Sequence, residues 1–282
     1  MSAVFIVAEA GSNWHVDGES LSKGHWRAIR LIDVAVAAGA DAVKFQAFRA
    51  DDLYPKDTEN WNIVKPLEIP IPWIADLSSY CTRRGIEFMC SAFSEEMVDA
   101  VDPYVKRHKV ASLEITDLSL LRHIASKGKP VIMSTGAATE DQIKDARMAI
   151  WNPLGKWAKH AIPITLLHCV TGYPTPPHEA NLLALPLSEI HLDGLSDHTL
   201  DPIIAPVMAV ALGASMIEKH FTLSRSLVGP DHHYALEPYE LMQMVEAVRL
   251  AEKMLGDGRK RVMPSELKWR QFQHRDGGVR GA

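Results

Sequence analysis

Short β-branched or apolar runs alternate with amphipathic helical stretches from one end of this chain to the other, and the alternation repeats eight times. That pattern leaves few folds open. Strands joined by helical crossovers lie parallel, and eight such units are the number that closes a barrel. The strand candidates are Val4 to Ala10, Ala42 to Phe48, Glu87 to Phe93, Lys109 to Glu114, Pro130 to Thr135, Ile164 to Cys169, Leu192 to Ser196 and Ser215 to Phe221. Between them lie helices such as Trp26 to Ala38, where Ile29, Ile32 and Val36 make a core stripe and Gly39 is the stop signal. Tyr239 to Leu255 reads likewise, with Leu241, Met244, Val245, Val248 and Leu255 inward. The expected fold is α/β, a single-domain (β/α)8 TIM barrel over residues 1–256, with a basic tail over residues 257–282. One domain of about 250 residues is normal for such a barrel.

Charge and cysteine usage exclude several classes of partner. With 30 basic against 35 acidic residues the formal charge is −5, so nothing in the balance favours nucleic acid or an anionic membrane surface. The start, Met1 to Glu9, lacks a basic n-region, and no window approaches 18 uncharged apolar residues. The expectation is a soluble cytoplasmic protein acting on small molecules, without nucleic acid or membrane partners. Cys81, Cys90 and Cys169 are too few and too scattered for a disulfide framework or a structural zinc site.

In a barrel of this kind, catalytic groups sit at the carboxyl ends of the strands. Polar residues occupy all eight ends: Glu9, Asn13 and His15; Lys44 and Gln46; Ser91 and Ser94; Lys109, Ser112 and Glu114; Ser134 and Thr135; His168, Thr171 and Tyr173; Ser196 and His198; Glu218 and His220. Side chains two apart on a strand point the same way. The last two pairs therefore aim two imidazoles and one carboxylate into one cavity, where a metal would sit. Either histidine alone reads more simply as a strand-end residue bonded to backbone, and it is their equivalent placement that favours ligation. Lys44 and Lys109, with Ser112, Ser134 and Ser196, have the chemistry to hold a phosphate or carboxylate. A Schiff-base lysine, or a lysine paired structurally with Glu9 or Glu114, remains open at this point. Lys109 and Ser112 have opposite strand parity, so both face the cavity only if a bulge or the strand end lies between them.

Several collinear motifs resemble the sialic acid synthase family. They are Ile6-Val-Ala-Glu-Ala-Gly-Ser-Asn13, Ala38-Gly-Ala-Asp-Ala-Val-Lys-Phe-Gln46, Lys109-Val-Ala-Ser-Leu-Glu-Ile-Thr116, Gly128-Lys-Pro-Val-Ile-Met-Ser-Thr-Gly136, Leu166-Leu-His-Cys169 with Tyr173-Pro-Thr-Pro176, Gly194-Leu-Ser-Asp-His-Thr-Leu200, Ile217-Glu-Lys-His-Phe-Thr222 and Gly229-Pro-Asp231. The resemblance implies an enzyme that condenses phosphoenolpyruvate with an open-chain aldose, N-acetylmannosamine or a related acylamino sugar, to give a 2-keto acid and phosphate. Carried over, it makes His198 and His220 the metal ligands, for manganese or alternatively magnesium or cobalt. It makes Lys44, Ser91, Lys109, Ser112, Ser134 and Ser196 the phosphoenolpyruvate shell. Glu9, Thr171, Tyr173 and Asp231 fall in the sugar region, with Glu9 also a proton carrier.

Departures from the family pattern bear on the acceptor. Family members usually carry a C-terminal antifreeze-like domain that sends an arginine to the acyl group of the sugar in a swapped dimer. Residues 257–282 are read instead as a basic tail bearing Arg259, Lys260, Arg261, Arg270, Arg275 and Arg280. Thr171 stands where the family often has asparagine, and Trp14 separates Asn13 from His15. Two further readings follow: the same chemistry on a phosphorylated or otherwise modified aldose, and a non-catalytic barrel that binds a sugar acid. A homodimer is expected, and the segment Leu53 to Pro72, with Tyr54, Trp61 and four prolines, reads as a lid or contact surface.

Overall fold

The computed structural model describes residues 3–151 and 162–273. Eight strands, β1 (Phe5–Gly11), β2 (Ala42–Ala47), β3 (Glu87–Ala92), β4 (His108–Val110), β5 (Val131–Ser134), β6 (Ile164–Cys169), β7 (Gly194–Asp197) and β8 (Met216–His220), pair in chain order, all parallel, and β8 closes on β1. The (β/α)8 barrel expected from the alternation is the fold observed. Among the described residues, no helix is long and apolar enough to cross a membrane.

The helix Leu21–Ala38 starts one turn earlier than its apolar pattern suggests. Its buried stripe is Ala28, Leu31, Ile32 and Ala35, while Ile29 and Val36 only flank the core. The stripe runs through two alanines, so hydrophobic bulk alone does not pick it out. Gly39 ends the helix at a left-handed φ of 82°, with its N–H on the Val36 carbonyl. The helix Pro238–Leu255 buries Leu241, Met244, Val245 and Val248 and leaves Leu255 half-buried at its end.

Inside the barrel, period-two alternation stacks two layers of unlike chemistry. Val7, Ala42, Met89, Ile132, Leu167 and Met216 form a small apolar cluster separate from the larger core under the helices. Gly194 holds the equivalent place on β7, where a Cβ would stand 2.3 Å from the Met216 carbonyl oxygen, so only glycine fits. Two residues farther along each of these strands stand Glu9, Lys44, Ser91, Ser134, Cys169, Ser196 and Glu218. The polar layer thus begins one strand step above an apolar floor. β4 is only three residues long, and Ser112 opens the 3-10 helix Ser112–Thr116. That early strand end removes the parity conflict between Lys109 and Ser112, and it takes Glu114 off the strand onto the same short helix.

The segment after β2 folds as the short helices Ala50–Leu53 and Glu59–Val64 and the 3-10 helix Lys65–Leu67. Thr58 caps the second by accepting from the Trp61 N–H at 3.2 Å. After Leu255 the chain leaves the barrel, and Met263, Leu267, Trp269 and Phe272 are exposed. Arg275 and Arg280 lie outside the described residues.

On the outer faces of β7 and β8, Lys219 and Asp197 are both about 2% exposed and ion-paired. The Lys219 ammonium also donates to the carbonyls of Thr199 at 2.6 Å and Asp201 at 2.9 Å, which ties down the chain as it leaves β7. Removing one member of a buried pair strands the other charge at a cost of about 3–5 kcal/mol. Asp197→Ala should therefore lower stability by that amount in urea unfolding, and a loss below about 1 kcal/mol would show that the pair holds nothing in place.

Candidate active site

The floor of the site is a buried charge cluster built by strand register. Pairing sets Glu9 beside Lys44 and His220, Ser91 beside Lys109, and Ser196 beside Glu218. The Lys44 ammonium lies 2.7 Å from Glu9 Oε2 and 3.5 Å from Glu218 Oε1, and it donates to Ser91 Oγ at 3.1 Å. Lys109 lies 3.5 Å from the same Glu218 oxygen and donates to Ser134 Oγ at 2.8 Å and the Val110 carbonyl at 3.1 Å. Ser196 Oγ donates to Glu218 Oε1 at 3.2 Å. Ser112 Oγ joins from β4's end, 3.3 Å from Cys169 Sγ.

The two carboxylates share two cations and separate in basicity. Burial pushes both up, but Lys109 and Lys44 together hold Glu218 down to about 2. Burial outweighs Lys44 at Glu9, and the negative charge of Glu218 adds to it, so Glu9 rises to about 7. Burial lowers Lys109, with Glu218 opposing. The floor thus sets two buried amines against one strongly acidic carboxylate and one whose hold on a proton is strengthened by burial. Two amines gathered at one buried place have the chemistry to receive an anionic ligand. Both amines are already engaged by carboxylate and hydroxyl oxygens, which favours anion binding over a Schiff-base lysine and realises the Lys44–Glu9 pairing.

Above the floor stand the two histidines, with ring centroids 5.5 Å apart. His198 Nδ1 donates to the Val170 carbonyl at 2.8 Å, a tautomer that leaves Nε2 with its lone pair. Burial works against its protonation, yet contact with Cys169 and that carbonyl raise His198 above its ordinary value, which makes for a more basic ligand. Burial, then the positive charge of His198 and Lys44, keep His220 well below the ordinary histidine range, hence neutral, and its Nδ1 has no partner. Among the described residues, no three His, Cys, Asp or Glu side chains gather into a ligand cluster. Two imidazoles, with His198 giving up any proton it carries on ligation, still suit a divalent ion that draws its other ligands from substrate oxygens and water.

One side of the mouth is polar. Asp231 accepts from Ser12 Oγ at 3.0 Å and from the Tyr234 hydroxyl at 2.9 Å. Gln46 donates to Glu9 Oε1 at 3.2 Å. Gly11, at φ 51°, lies so close that a Cβ would stand 3.2 Å from Asp231 Oδ2 and 3.3 Å from Glu9 Oε1. Glu114 and Tyr173 line the same cavity of about 340 Å³, a size suited to a monosaccharide. The opposite wall is apolar: Phe48, Leu53, Ile63, Val64 and Leu67 from β2 and its following segment, with Phe93. That segment is thus a wall of the cavity. Thr171 Oγ1 is buried without a partner next to Gly136. A larger apolar groove of about 850 Å³, between residues 174–183 and the helix Ile204–Ala211, gathers no comparable set of titratable groups.

Not every polar strand end faces this cavity. Thr135 and His168 turn outward, to the carbonyls of Leu167 and Ala180. Asn13 donates to the Phe221 carbonyl, and His15 meets Asp17. In the other direction, Glu218 is more central than its strand-end reading implied, and Ser12, Cys169 and Tyr234 join the site without having been singled out for it. Counting in twos from Met216 finds Glu218, and from Leu167 finds Cys169; nothing local in the sequence points to Ser12 or Tyr234.

A family profile described as the NeuB family matches residues 31–260. The chain is 37% identical over 291 residues to the N,N'-diacetyllegionaminic acid synthase of Legionella pneumophila, covering 96% of this chain and 78% of that one. It is 33% identical over 285 residues to the pseudaminic acid synthase of Helicobacter pylori, with 95% and 80% covered. Among solved structures, the N-acetylneuraminic acid synthetase of Leptospira borgpetersenii, in complex with citrate, superposes with a TM-score of 0.84 at 33% identity, covering 95% of this chain and 90% of that one.

Glu114 carries a measurable signature of this environment. Burial pushes its carboxyl up from 4.5 to about 7, with its own backbone and Lys109 opposing, and Oε2 has no partner. The folded state thus binds this proton more tightly than the unfolded chain, so its contribution is full below pH 4.5 and is lost as pH rises through 7. Glu114→Gln should be more stable than the parent at pH 8 by about 3 kcal/mol and equal to it at about pH 4. Thermal unfolding of both proteins across that range checks it, and equal stability at pH 8 would refute the raised pKa.

Proposed function

The chain belongs to the NeuB family, and from that premise we propose that it condenses phosphoenolpyruvate with the aldehyde of an open-chain amino sugar, giving a sialic-acid-like 2-keto acid and phosphate. The observation that carries this reading is the buried pair of amines, Lys44 and Lys109, beneath two imidazoles whose ring centroids stand 5.5 Å apart. Lys44 and Lys109 supply charge to the carboxylate and phosphate of phosphoenolpyruvate. Ser91, Ser112, Ser134 and Ser196 complete the oxygen shell without adding charge. His198 and His220 are the residues that would hold a divalent metal, manganese in our reading with magnesium or cobalt as alternatives. When bound, it supplies Lewis acidity at the aldehyde oxygen.

Carbon three of phosphoenolpyruvate forms the new bond to the aldehyde carbon, water adds at carbon two, and breakage of that carbon's bond to the phosphate oxygen releases phosphate. The attacking water gives up both protons, one matched by the proton the aldehyde oxygen gains and the second passing to the departing phosphate as the carbon-two carbonyl forms. Glu9 and Glu114, both raised to about 7, are poised to exchange protons at neutral pH. Asp231, Tyr173 and Thr171 face the sugar. N-acetylmannosamine is the first acceptor to try. The relatives are named for three different acids, so a differently modified aldose is the natural second.

Phosphate release from phosphoenolpyruvate, measured with manganese and a panel of aldoses headed by N-acetylmannosamine, tests the proposal. Release should need one sugar, vanish with EDTA and return with added metal. His220→Ala should lower it by about 100-fold or more. Tight phosphoenolpyruvate binding with no release for any aldose would instead favour a non-catalytic sugar-acid-binding barrel.

A further inference from the structure

Tyr234 joins two parts of the site that otherwise sit on separate elements. It lies in the 3-10 helix His232–Tyr234 beyond β8 and is 4% exposed. Its hydroxyl donates to one oxygen of Asp231 at 2.9 Å, and Ser12 holds the other from the end of β1. Its ring stands 5.2 Å, centroid to centroid, from both His220 and Tyr173. Tyr173 in turn lies 4.2 Å from His198. One rigid side chain thus fixes the direction of the Asp231 carboxylate and backs the His220 imidazole. Tyrosine has two side-chain torsions, and burial leaves neither free.

We propose that Tyr234 is a positioning residue for the acceptor sugar, setting the separation between the hydroxyl bound by Asp231 and the aldehyde at the histidine pair. This rests on the condensation reading above. Its consequence is a division of labour: Tyr234 affects the acceptor and leaves phosphoenolpyruvate alone, because its own contacts run to Asp231, His220 and Tyr173, whereas Lys44 bonds Ser91, Lys109 bonds Ser134 and Ser196 bonds Glu218.

Two variants separate the hydroxyl from the ring. Tyr234→Phe keeps the ring and removes the bond to Asp231, so the KM for the aldose should rise about ten-fold, with the KM for phosphoenolpyruvate within two-fold and Tm unchanged. Tyr234→Leu also removes the ring behind His220, so the manganese concentration needed for half-activation should rise as well. A parental aldose KM in Tyr234→Phe overturns the inference, as does a parallel rise in both KM values, which would mark a merely structural role. A parent enzyme that turns over no aldose at all overturns the condensation reading and this inference with it, an outcome told apart by the parent control.

Discussion

Two buried ammonium groups converge on one carboxylate oxygen at the centre of this barrel, and the rest of the molecule is arranged around the cost of keeping them there. Lys44, Lys109 and Glu218 are each under 6% exposed, in surroundings where an unpaired charge costs several kcal/mol. Five of the eight parallel strands answer that cost with a hydroxyl or a carboxylate, from Glu9, Ser91, Ser134, Ser196 and Glu218. Glu9, pushed up to about 7 by burial, is the weaker of the two counter-charges, and Glu218, held down to about 2 by both lysines, is the stronger.

A barrel can carry such a layer because strand alternation separates it cleanly from what lies beneath. Val7, Ala42, Met89, Ile132, Leu167 and Met216 seal the interior below, and the polar residues begin one strand step higher. With apolar side chains at the bottom, the polar layer faces the upper mouth. The helices outside pack on the opposite strand faces and leave this inner surface to chemistry.

Much of this was legible in the residues. The eightfold alternation specified the barrel, and counting in twos along β1, β2 and β8 puts Glu9, Lys44, Glu218 and His220 on the inner face. Where reading stopped, the reason was physical. Ser112 joins the site because β4 ends after three residues, and strand length depends on what the neighbouring strands can pair with, not on local propensity. Thr135 and His168 sit at strand ends like the site residues but have the opposite parity, so Thr135 bonds the Leu167 carbonyl of neighbouring β6 and His168 the Ala180 carbonyl beyond the barrel. The stripe of the helix Leu21–Ala38 passes through Ala28 and Ala35, which a search for bulky apolar residues passes over. Tyr234 belongs to a loop whose partners, Ser12 and Tyr173, lie 222 and 61 positions away in the chain, and no periodicity encodes such a meeting.

The four residues of β7 illustrate how densely one segment can be used. Gly194 yields space to the Met216 backbone, Leu195 packs into the outer core, Ser196 faces Glu218 and Asp197 grips Lys219. No position is left to serve as a spacer, and inner and outer duties alternate. Lengthening or shortening this strand by one residue would exchange every duty with its neighbour: the clamp would turn into the cavity and the serine into the core. Such a segment accommodates change only by like-for-like replacement, so engineering of this barrel toward new acceptors has its freedom in the loops and in the wall after β2, not in β7.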